Sequence, residues 1–584
     1  MGLVKKDKKP LGKIRGTSTG TSGVETSPLR PTHVPKLAPC RSGCPNATKI
    51  REVLLAIAQT EDRGRTYDES YRLAFEILAE RNPFPAVCGR VCPHPCEENC
   101  NRQYKDGSLN IHGVERFIGD YALKHKFPLP KLTEEKYPEK IAVIGAGPAG
   151  LSCAYQLARR GYSVTVFEAF SKPGGMLRYG IPKYRLPEDV LDAEIQRIVD
   201  LGVEIKCNVA VGRDIPYQEI REKYDAVFVG IGAHKGKNLG LPGEDAPNVF
   251  TGTEFLNMVN SGRKVDVGKK VLVIGGGDTA IDAARVSRRL GADVTILYRR
   301  TRNEMPAIEE EIVGAEEEGV NFVFLVAPKE LILDGEKVKA IKCQKMQLGE
   351  PDESGRRRPV PIEGAEEIFE CDTIISAISQ EPDFYGLEHL REGKDWIKVD
   401  ENFRSVKDPK VFSGGDDLEL GLVTIAIYQG RMAAETIHST FRGIPIEKDP
   451  ELSYPIATKD RIVFTYYTEK YRNEALRLPP DERLAQMEKE ITCTLTEEQV
   501  IDEARRCMSC GSCFDCGTCW SICQDQVIHR PIQRFQTYTF KLELCKGCNK
   551  CAEACPCGYI EMKDPFTGQI APRDPETGKV IYTG

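Results

Sequence analysis

Two runs of the form CxxCxxCxxxC stand near the C-terminus: Cys513, Cys516, Cys519 and Cys523, then Cys545, Cys548, Cys551 and Cys555. A tight loop of that spacing presents three thiolates to one [4Fe–4S] cube, while the fourth cysteine, displaced by a helical turn, reaches a second cube. Ligation is therefore expected to cross. One cube takes Cys513, Cys516, Cys519 and Cys555, and the other takes Cys545, Cys548, Cys551 and Cys523. Cysteines also stand at 507 and 510, but a register starting there puts Gly517 or Trp520 where the fourth ligand must be. A structural zinc ribbon needs only two isolated CxxC pairs, and a large Rossmann-type chain has no need of a disulfide framework. The chain is read as a carrier of single electrons.

Of the 22 cysteines, eleven lie between 507 and 557 and six between 40 and 100, so most are grouped as ligands, which implies a reducing compartment. No apolar run approaches the roughly 20 residues of a membrane span, and the N-terminus lacks the apolar segment of a signal peptide. Cytoplasm is the expected location, with no membrane span. A net charge of −6 gives no reason to expect nucleic acid as a partner. Lysines 5, 6, 8, 9 and 13 lie in a Gly/Ser/Thr/Pro-rich stretch, and residues 1–35 are read as a disordered arm.

From 36 to 136 the pattern is helical and cysteine-bearing. Ile50, Val53, Leu54 and Ile57, then Tyr71, Ala74, Phe75 and Leu78, recur at helical spacing and are expected core. Around them stand Cys40, Cys44, Cys88, Cys92, Cys96 and Cys100. Strand–glycine–helix units follow at 141 and 271, and alternating strands and helices predict parallel, doubly wound sheets. The fold class is therefore α/β: two Rossmann-like dinucleotide-binding domains, preceded by an α-helical iron–sulfur domain and followed by a bacterial-type ferredoxin domain at 507–584. Residues 137–265 with 375–447 form the first dinucleotide domain, 266–374 the second, and 448–506 a charged, proline-bearing linker.

In IAVIGAGPAG the first glycine, Gly145, permits a tight turn, Gly147 lets the backbone approach a pyrophosphate, and Gly150 lets helix and strand pack closely. Glu168 ends the next strand, where a carboxylate accepts from an adenosine ribose. VLVIGGGDTA repeats the pattern with Gly275, Gly277, Asp278, Thr279 and Ala280. Here Tyr298 replaces the carboxylate and is followed by Arg299 and Arg300, guanidinium groups able to pair with a 2′-phosphate. The second site leans toward NADP(H), with NADH the alternative, and FAD is the economical occupant of the first. In VFSGGDD, Gly415 and Asp416 are placed to hold a flavin ribityl hydroxyl, and the helix that begins near Thr424 would direct its N-terminus at negative charge on the flavin. A thiol-active disulfide reductase needs a close cysteine pair beside its flavin; between 137 and 450 only Cys153, Cys207, Cys343 and Cys371 occur, none paired.

The motifs CGRVCPHPC with CEENC, GAGPAG, GGMLRYGIPKYRLP, GGGDTA, YRRTRNEMPA and SGGDD with TIAIYQGRMAA occur together and in that order. In this the chain resembles the small-subunit family of glutamate synthase, over roughly residues 36 to 447. The resemblance implies FAD in the first domain, NADP(H) in an inserted second domain, and N-terminal [4Fe–4S] clusters. It implies hydride transfer from nicotinamide to flavin, with single electrons passed on to the clusters and no side-chain nucleophile or general base. Gly174 and Gly175, with the loop after them, would shape the space where nicotinamide and isoalloxazine stack. Members with two N-terminal clusters carry another CxxC just before the position of Cys40; here that stretch is RPTHVPKLAPC. One N-terminal cube is implied, and a second needs a non-cysteine ligand, for which Glu115 is the family-based candidate. With its ferredoxin module the chain resembles the DsrL type, the branch associated with dissimilatory sulfite reductase, although Gln524 replaces a proline often found after the fourth cysteine. That reductase is the redox protein partner implied, with an amidotransferase partner the alternative and a homodimer the self-assembly considered.

Overall fold

The computed structural model describes residues 26–353, 355–393 and 396–581. Two five-stranded sheets form its centre, each parallel throughout. In the first the spatial order is Val411–Ser413, Ala226–Val229, Lys140–Ile144, Ser163–Phe167, Glu204–Lys206. In the second it is Asn321–Phe324, Asp293–Tyr298, Lys270–Ile274, Thr373–Ser376, Val249–Thr251. Parallel strands are covered on both faces and so read as continuous apolar runs; IAVI and VLVI are buried throughout. Behind the first sheet the Pro148–Ala158 helix packs on the Val423–Arg442 helix. A Cβ at Gly430 would come within 2.1 Å of the Ala149 carbonyl oxygen, so the crossing requires glycine.

The boundary between the two units differs from the sequence reading. Val249–Thr251 pairs with Thr373–Ser376, so the second domain begins before 249 rather than at 266 and runs past 374. The chain changes domain at a short antiparallel ribbon, Lys235–Gly236 against Gln380–Glu381. The polar stretch near 262 is a surface loop within a strand–helix–strand unit. Between the second sheet's strands an antiparallel three-stranded sheet is added, Val326–Asp334, Lys337–Pro351 and Arg357–Glu370.

The N-terminal helices Ile50–Ala58, Tyr67–Ala79, Pro85–Val91 and Ile111–Lys124 bury the apolar stripes anticipated for them, including Val53, Ile57, Tyr71 and Phe75. Thr66 and Glu69 form a reciprocal capping box that starts the second of these helices.

Two connecting segments are more ordered than their composition implies. Residues 1–25 of the proposed arm lie outside the described residues, but Arg30–His33 pairs antiparallel with Ile560–Lys563, and Lys36 forms a buried ion pair with Glu561 at 2.8 Å. The pairing gives the Ile560–Lys563 strand a hydrogen-bonded neighbour along its edge. The 448–506 segment is not a loose tether. Asp449 and Glu451 pair with Arg41, Asp449 also with Arg81, and Leu37 exchanges backbone hydrogen bonds with Pro455 and Ala457. The Glu497–Arg505 helix, capped by Thr496, lies against the Ile50–Ala58 helix and ends at a fully buried set of charges. There Arg506 binds Glu503 at 2.8 Å and Asp106 at 3.1 Å. Asp449, Glu451, Glu503 and Arg506 have fixed partners on the N-terminal domain or within the segment, so a stretch that composition alone reads as a linker is a strap.

Candidate nucleotide and iron–sulfur sites

At the first glycine turn Gly145 has φ 100°, and a Cβ there would meet the Gly230 carbonyl oxygen at 2.2 Å. The Gly174–Gly175 loop folds over this turn: Gly174 N–H donates to Ala146 O at 2.8 Å, and a Cβ on Gly175 would stand 2.7 Å from Gly147 Cα. The result is a bare backbone cradle at the Pro148–Ala158 helix N-terminus, the geometry a pyrophosphate requires. Glu168 is buried and accepts from the N–H groups of Ala146 and Phe170, both at 2.8 Å, one on each oxygen. Burial raises its pKa against those hydrogen bonds, and each oxygen keeps a second lone pair for a ribose hydroxyl. Gly415 has φ 98°; Asp416 accepts from Gly421 N–H at 3.1 Å, and desolvation pushes its carboxyl up to about 6. Thr424 lies in the first turn of the Val423–Arg442 helix.

The second glycine turn opens on a cleft of about 660 Å³ lined by Gly275, Gly277, Thr279, Tyr298, Arg299 and Arg300. Gly275 repeats the close approach, its Cβ position lying 2.3 Å from the Ala377 carbonyl oxygen. Ala280 is buried, and Asp278 accepts from Ile308 N–H at 2.9 Å, which ties down the loop after the arginines. The Tyr298 ring covers Gly276, and its hydroxyl donates to Glu304 O at 2.8 Å. The two arginines part company. Arg299 is exposed at the cleft, whereas Arg300 is buried and donates to Asp352 and to Arg357 O, both at 2.7 Å, joining the Rossmann strand to the antiparallel sheet. Arg356 also borders the cleft, a residue the sequence reading did not single out. Leu420, six residues beyond Gly414 in the flavin-side loop, lines the same cleft. The GGMLRYGIPKYRLP segment couples the domains: Arg185 binds both Asp282 oxygens at 2.8 and 2.9 Å, and Tyr184 lies 3.8 Å beneath the Arg289 guanidinium.

The C-terminal cysteines gather as two sets. Cys513, Cys516, Cys519 and Cys555 line one cavity, and Cys523 lies among Cys545, Cys548 and Cys551. Cys557 lines the same cavity, its Sγ 3.9 Å from that of Cys555.

The N-terminal cysteines divide. Cys44, Cys92 and Cys96 face a small cavity together with Glu115 and Thr424. Glu115 is enclosed there; burial pushes its carboxyl up to about 7, opposed by Asn82 Nδ2 donating to it at 2.9 Å. Three thiols and a carboxyl fit a cube with one oxygen ligand. Cys88 does not line this cavity: it is fully buried in the Pro85–Val91 helix, with its thiol toward Asn82 Oδ1 at 3.7 Å. The VCGRVC spacing suggested a ligand, but Cys88 lies inside the helix packing while Cys92 stands at the extended cap that ends the helix, so the two do not share a helical face. Cys40 and Cys100 face a different cavity, whose remaining thiols are Cys507 and Cys510. Sequence reasoning passed over that pair because it falls outside the ferredoxin register; the CxxC absent before Cys40 was the available signal. His94, Glu97 and His112 were also passed over, and they form the one described trio whose ligating atoms lie within 4.8 Å of one another.

With this geometry in place, the comparisons give a class. A family model for pyridine nucleotide-disulphide oxidoreductases matches residues 139–430, and one described as dihydropyrimidine dehydrogenase domain II, 4Fe-4S cluster, matches 34–127. The chain belongs to the pyridine nucleotide-disulphide oxidoreductase family and is an FAD-dependent NAD(P)H oxidoreductase that carries 4Fe–4S clusters. Similar proteins include the NADPH-Fe(3+) oxidoreductase subunit beta of Geobacter sulfurreducens, 37% identical over 518 residues, which cover 81% of this chain and 75% of that one. The NADP(+)-dependent formate dehydrogenase subunit beta of Moorella thermoacetica is 42% identical over 434 residues, 69% of this chain and 60% of that one. The glutamate synthase [NADPH] small chain of Halomonas elongata is 37% identical over 390 residues, 62% and 81%. The small-subunit resemblance is thus borne out. The cysteines within residues 139–430, Cys153, Cys207, Cys343 and Cys371, are free thiols, three of them buried. No described helix is long and apolar enough to cross a membrane.

Proposed function

We propose that the protein transfers electrons between NADPH and a redox protein partner, by way of FAD, the N-terminal clusters and the C-terminal ferredoxin module. The observation that carries this reading is one continuous piece of chain. The 414–424 loop and helix start contribute Leu420 to the nucleotide cleft and Thr424 to the cavity of Cys44, Cys92, Cys96 and Glu115. A flavin held by that segment would have the nucleotide cleft and the cluster cavity at neighbouring positions of the same chain. Bound there, FAD supplies the exchange between a hydride and single electrons that no side chain performs. The residues of this chain bind and orient: Gly145, Gly147, Gly150, Gly174 and Gly175 admit the pyrophosphate, Glu168 holds the ribose, and Gly415 with Asp416 face the ribityl chain. On the nucleotide side Gly275, Gly277 and Thr279 hold the phosphates, and Arg299 reads the 2′-phosphate.

For the partner we infer a dissimilatory sulfite reductase complex, on the resemblance of the ferredoxin-bearing form to the DsrL type. Relatives printed as subunits of a formate dehydrogenase and of an NADPH-Fe(3+) oxidoreductase support a partner subunit in general. A glutaminase subunit is the second reading, supported by the small-chain relatives. A chain ending after Ser512 tests the route. It keeps Cys507, Cys510 and the strap, and should still reduce an artificial dye with NADPH while failing to exchange electrons with the sulfite reductase in stopped-flow mixing. Unchanged transfer would place the exit at the N-terminal clusters. Copurification of a glutaminase subunit from the native cell would replace the partner.

A further inference from the structure

We propose that Cys40, Cys100, Cys507 and Cys510 ligate a fourth [4Fe–4S] cluster, built jointly from the two ends of the chain. The inference rests on the iron–sulfur reading above and adds a site to it. The four thiols line one enclosed cavity with Arg51 and Asn101 at its wall. Their sulfurs are too far apart for a single ion: tetrahedral zinc with Zn–S of about 2.3 Å sets its sulfurs about 3.8 Å apart. Among the described residues no three cysteines bring their sulfurs within 4.8 Å of one another. A cavity walled by four cysteines at wider spacing suits a cube.

The local backbone agrees. At three cysteines of the other sets, Cys92, Cys513 and Cys545, the residue two positions on has positive φ and turns its N–H to the sulfur. His94 does so to Cys92 at 3.4 Å with φ 56°, and Gly547 to Cys545 at 3.4 Å with φ 70°. Asp515, φ 62°, does so to Cys513. Ser509 repeats this on Cys507 at 3.5 Å with φ 49°. A left-handed serine is strained unless the turn serves something, and the Cys507 turn is built like those of the other cluster sites.

The surroundings compensate a cluster's negative charge and fix its ligands. Arg51 Nη1 donates to Cys510 O at 2.8 Å, and Asn101 Nδ2 approaches Cys510 Sγ at 3.6 Å. Gly511, with φ 75°, lies so close to Lys36 that a Cβ would meet Lys36 Cβ at 2.5 Å. The site also sits where a chain of centres has a gap. Cys40 lies in the short Pro39–Gly43 helix and Cys44 caps its end, and Cys510 precedes Cys513 by three residues, at most about 11 Å of extended chain. The cube would stand between the flavin-side cluster and the ferredoxin.

Iron and acid-labile sulfide, counted against bound FAD in anaerobically purified full-length protein, test the inference. Four cubes give about 16 irons per chain and three give about 12; about 12 overturns the inference, and none removes the iron–sulfur reading itself. In the second arm, Cys40→Ala, Cys507→Ala and the double variant are compared by iron content and by paramagnetic resonance of the reduced protein. One shared cluster predicts that each single variant and the double lose or convert the same centre, up to about four irons. A double variant that loses about eight would assign the two cysteines to separate clusters and refute the proposal, as would singles with the parent's iron and spectrum. The count on the parent protein decides the question if the variants fail to fold.

Discussion

Arg299 and Arg300 are adjacent in sequence, and the structure gives them different work, so their separate replacement is a sharp test of the nucleotide site. Arg299 is exposed at the cleft beside the second glycine turn. One charge-assisted hydrogen bond to a 2′-phosphate is worth about 1.5–3 kcal/mol, so Arg299→Ala should lower kcat/KM for NADPH by roughly 10- to 150-fold and leave NADH nearly unchanged. Arg300 has its guanidinium committed to Asp352 and the Arg357 carbonyl, and only 6% of its side chain is exposed. Its removal takes one donor from the Arg357 carbonyl and one from the Asp352 carboxylate, which keeps the Arg356 N–H, a loss of about 1–3 kcal/mol in stability. Arg300→Ala should therefore lower the thermal midpoint and weaken both nucleotides alike. Steady-state kinetics with both nucleotides and a dye acceptor, beside thermal melting, separates the two roles. Selective NADPH loss in Arg300→Ala with none in Arg299→Ala would refute the assignment.

Three further outcomes are expected. Cys548→Ala should remove or convert one C-terminal cube while FAD stays bound; iron content and resonance spectra equal to the parent's would overturn the crossed ligand set. Gly175→Ala should empty the flavin site while the iron content holds, because φ is 55° and the added Cβ would stand 2.7 Å from Gly147 Cα; full FAD occupancy by absorbance would contradict the cradle. Glu194, fully buried against the N–H groups of Ala86 and Val87 at 3.0 and 3.1 Å, is pushed up to about 7 by desolvation, with Arg197 and those N–H groups opposing. Its folded pKa lies above the unfolded value, so the native state holds the extra proton and stability falls as pH rises from about 4.5 to 7. Glu194→Gln should flatten that part of the melting profile, and an equal slope in parent and variant would remove the assignment.

The parts legible in the sequence are those whose causes are local. A glycine turn is demanded by the backbone a few residues away, as where Gly150 lies against Gly145, and the buried stripe from Val53 to Ile57 follows from helical period alone. The ferredoxin spacing is local in the same sense. What was not legible depends on partners far along the chain. Arg30–His33 looks like an arm until Ile560–Lys563 lies beside it, and Asp449 reads as a solvated linker charge until Arg41 and Arg81 meet it. Arg300 resembles Arg299 in any local pattern; only the sheet folded over it, which brings Asp352 and Arg357, distinguishes them. Cys507 and Cys510 are the extreme instance, since their companions Cys40 and Cys100 lie more than four hundred residues earlier.

The buried charges of the strap bear on why the two ends meet so closely. Glu503, Arg506, Asp106 and Arg102 are all but removed from water, and buried ion pairs of this kind return little net stability once desolvation is counted. Their geometry accounts for them better. Arg102 Nη1 donates to the Arg506 carbonyl oxygen at 3.2 Å, and Arg506 Nη2 donates to Gly107 O at 2.7 Å. One bond thus joins the residue just before Cys507 to the residue two beyond Cys100. A packed apolar contact of equal stability would let these segments slide. A directional set of donors and acceptors holds two cysteine loops in one register, as a shared cluster demands and a mere tether does not. Arg506→Met takes the guanidinium from the buried Glu503 and Asp106 and should lower the melting temperature; by the same reasoning it should also cost iron and shift one reduction step at temperatures where the variant is still folded.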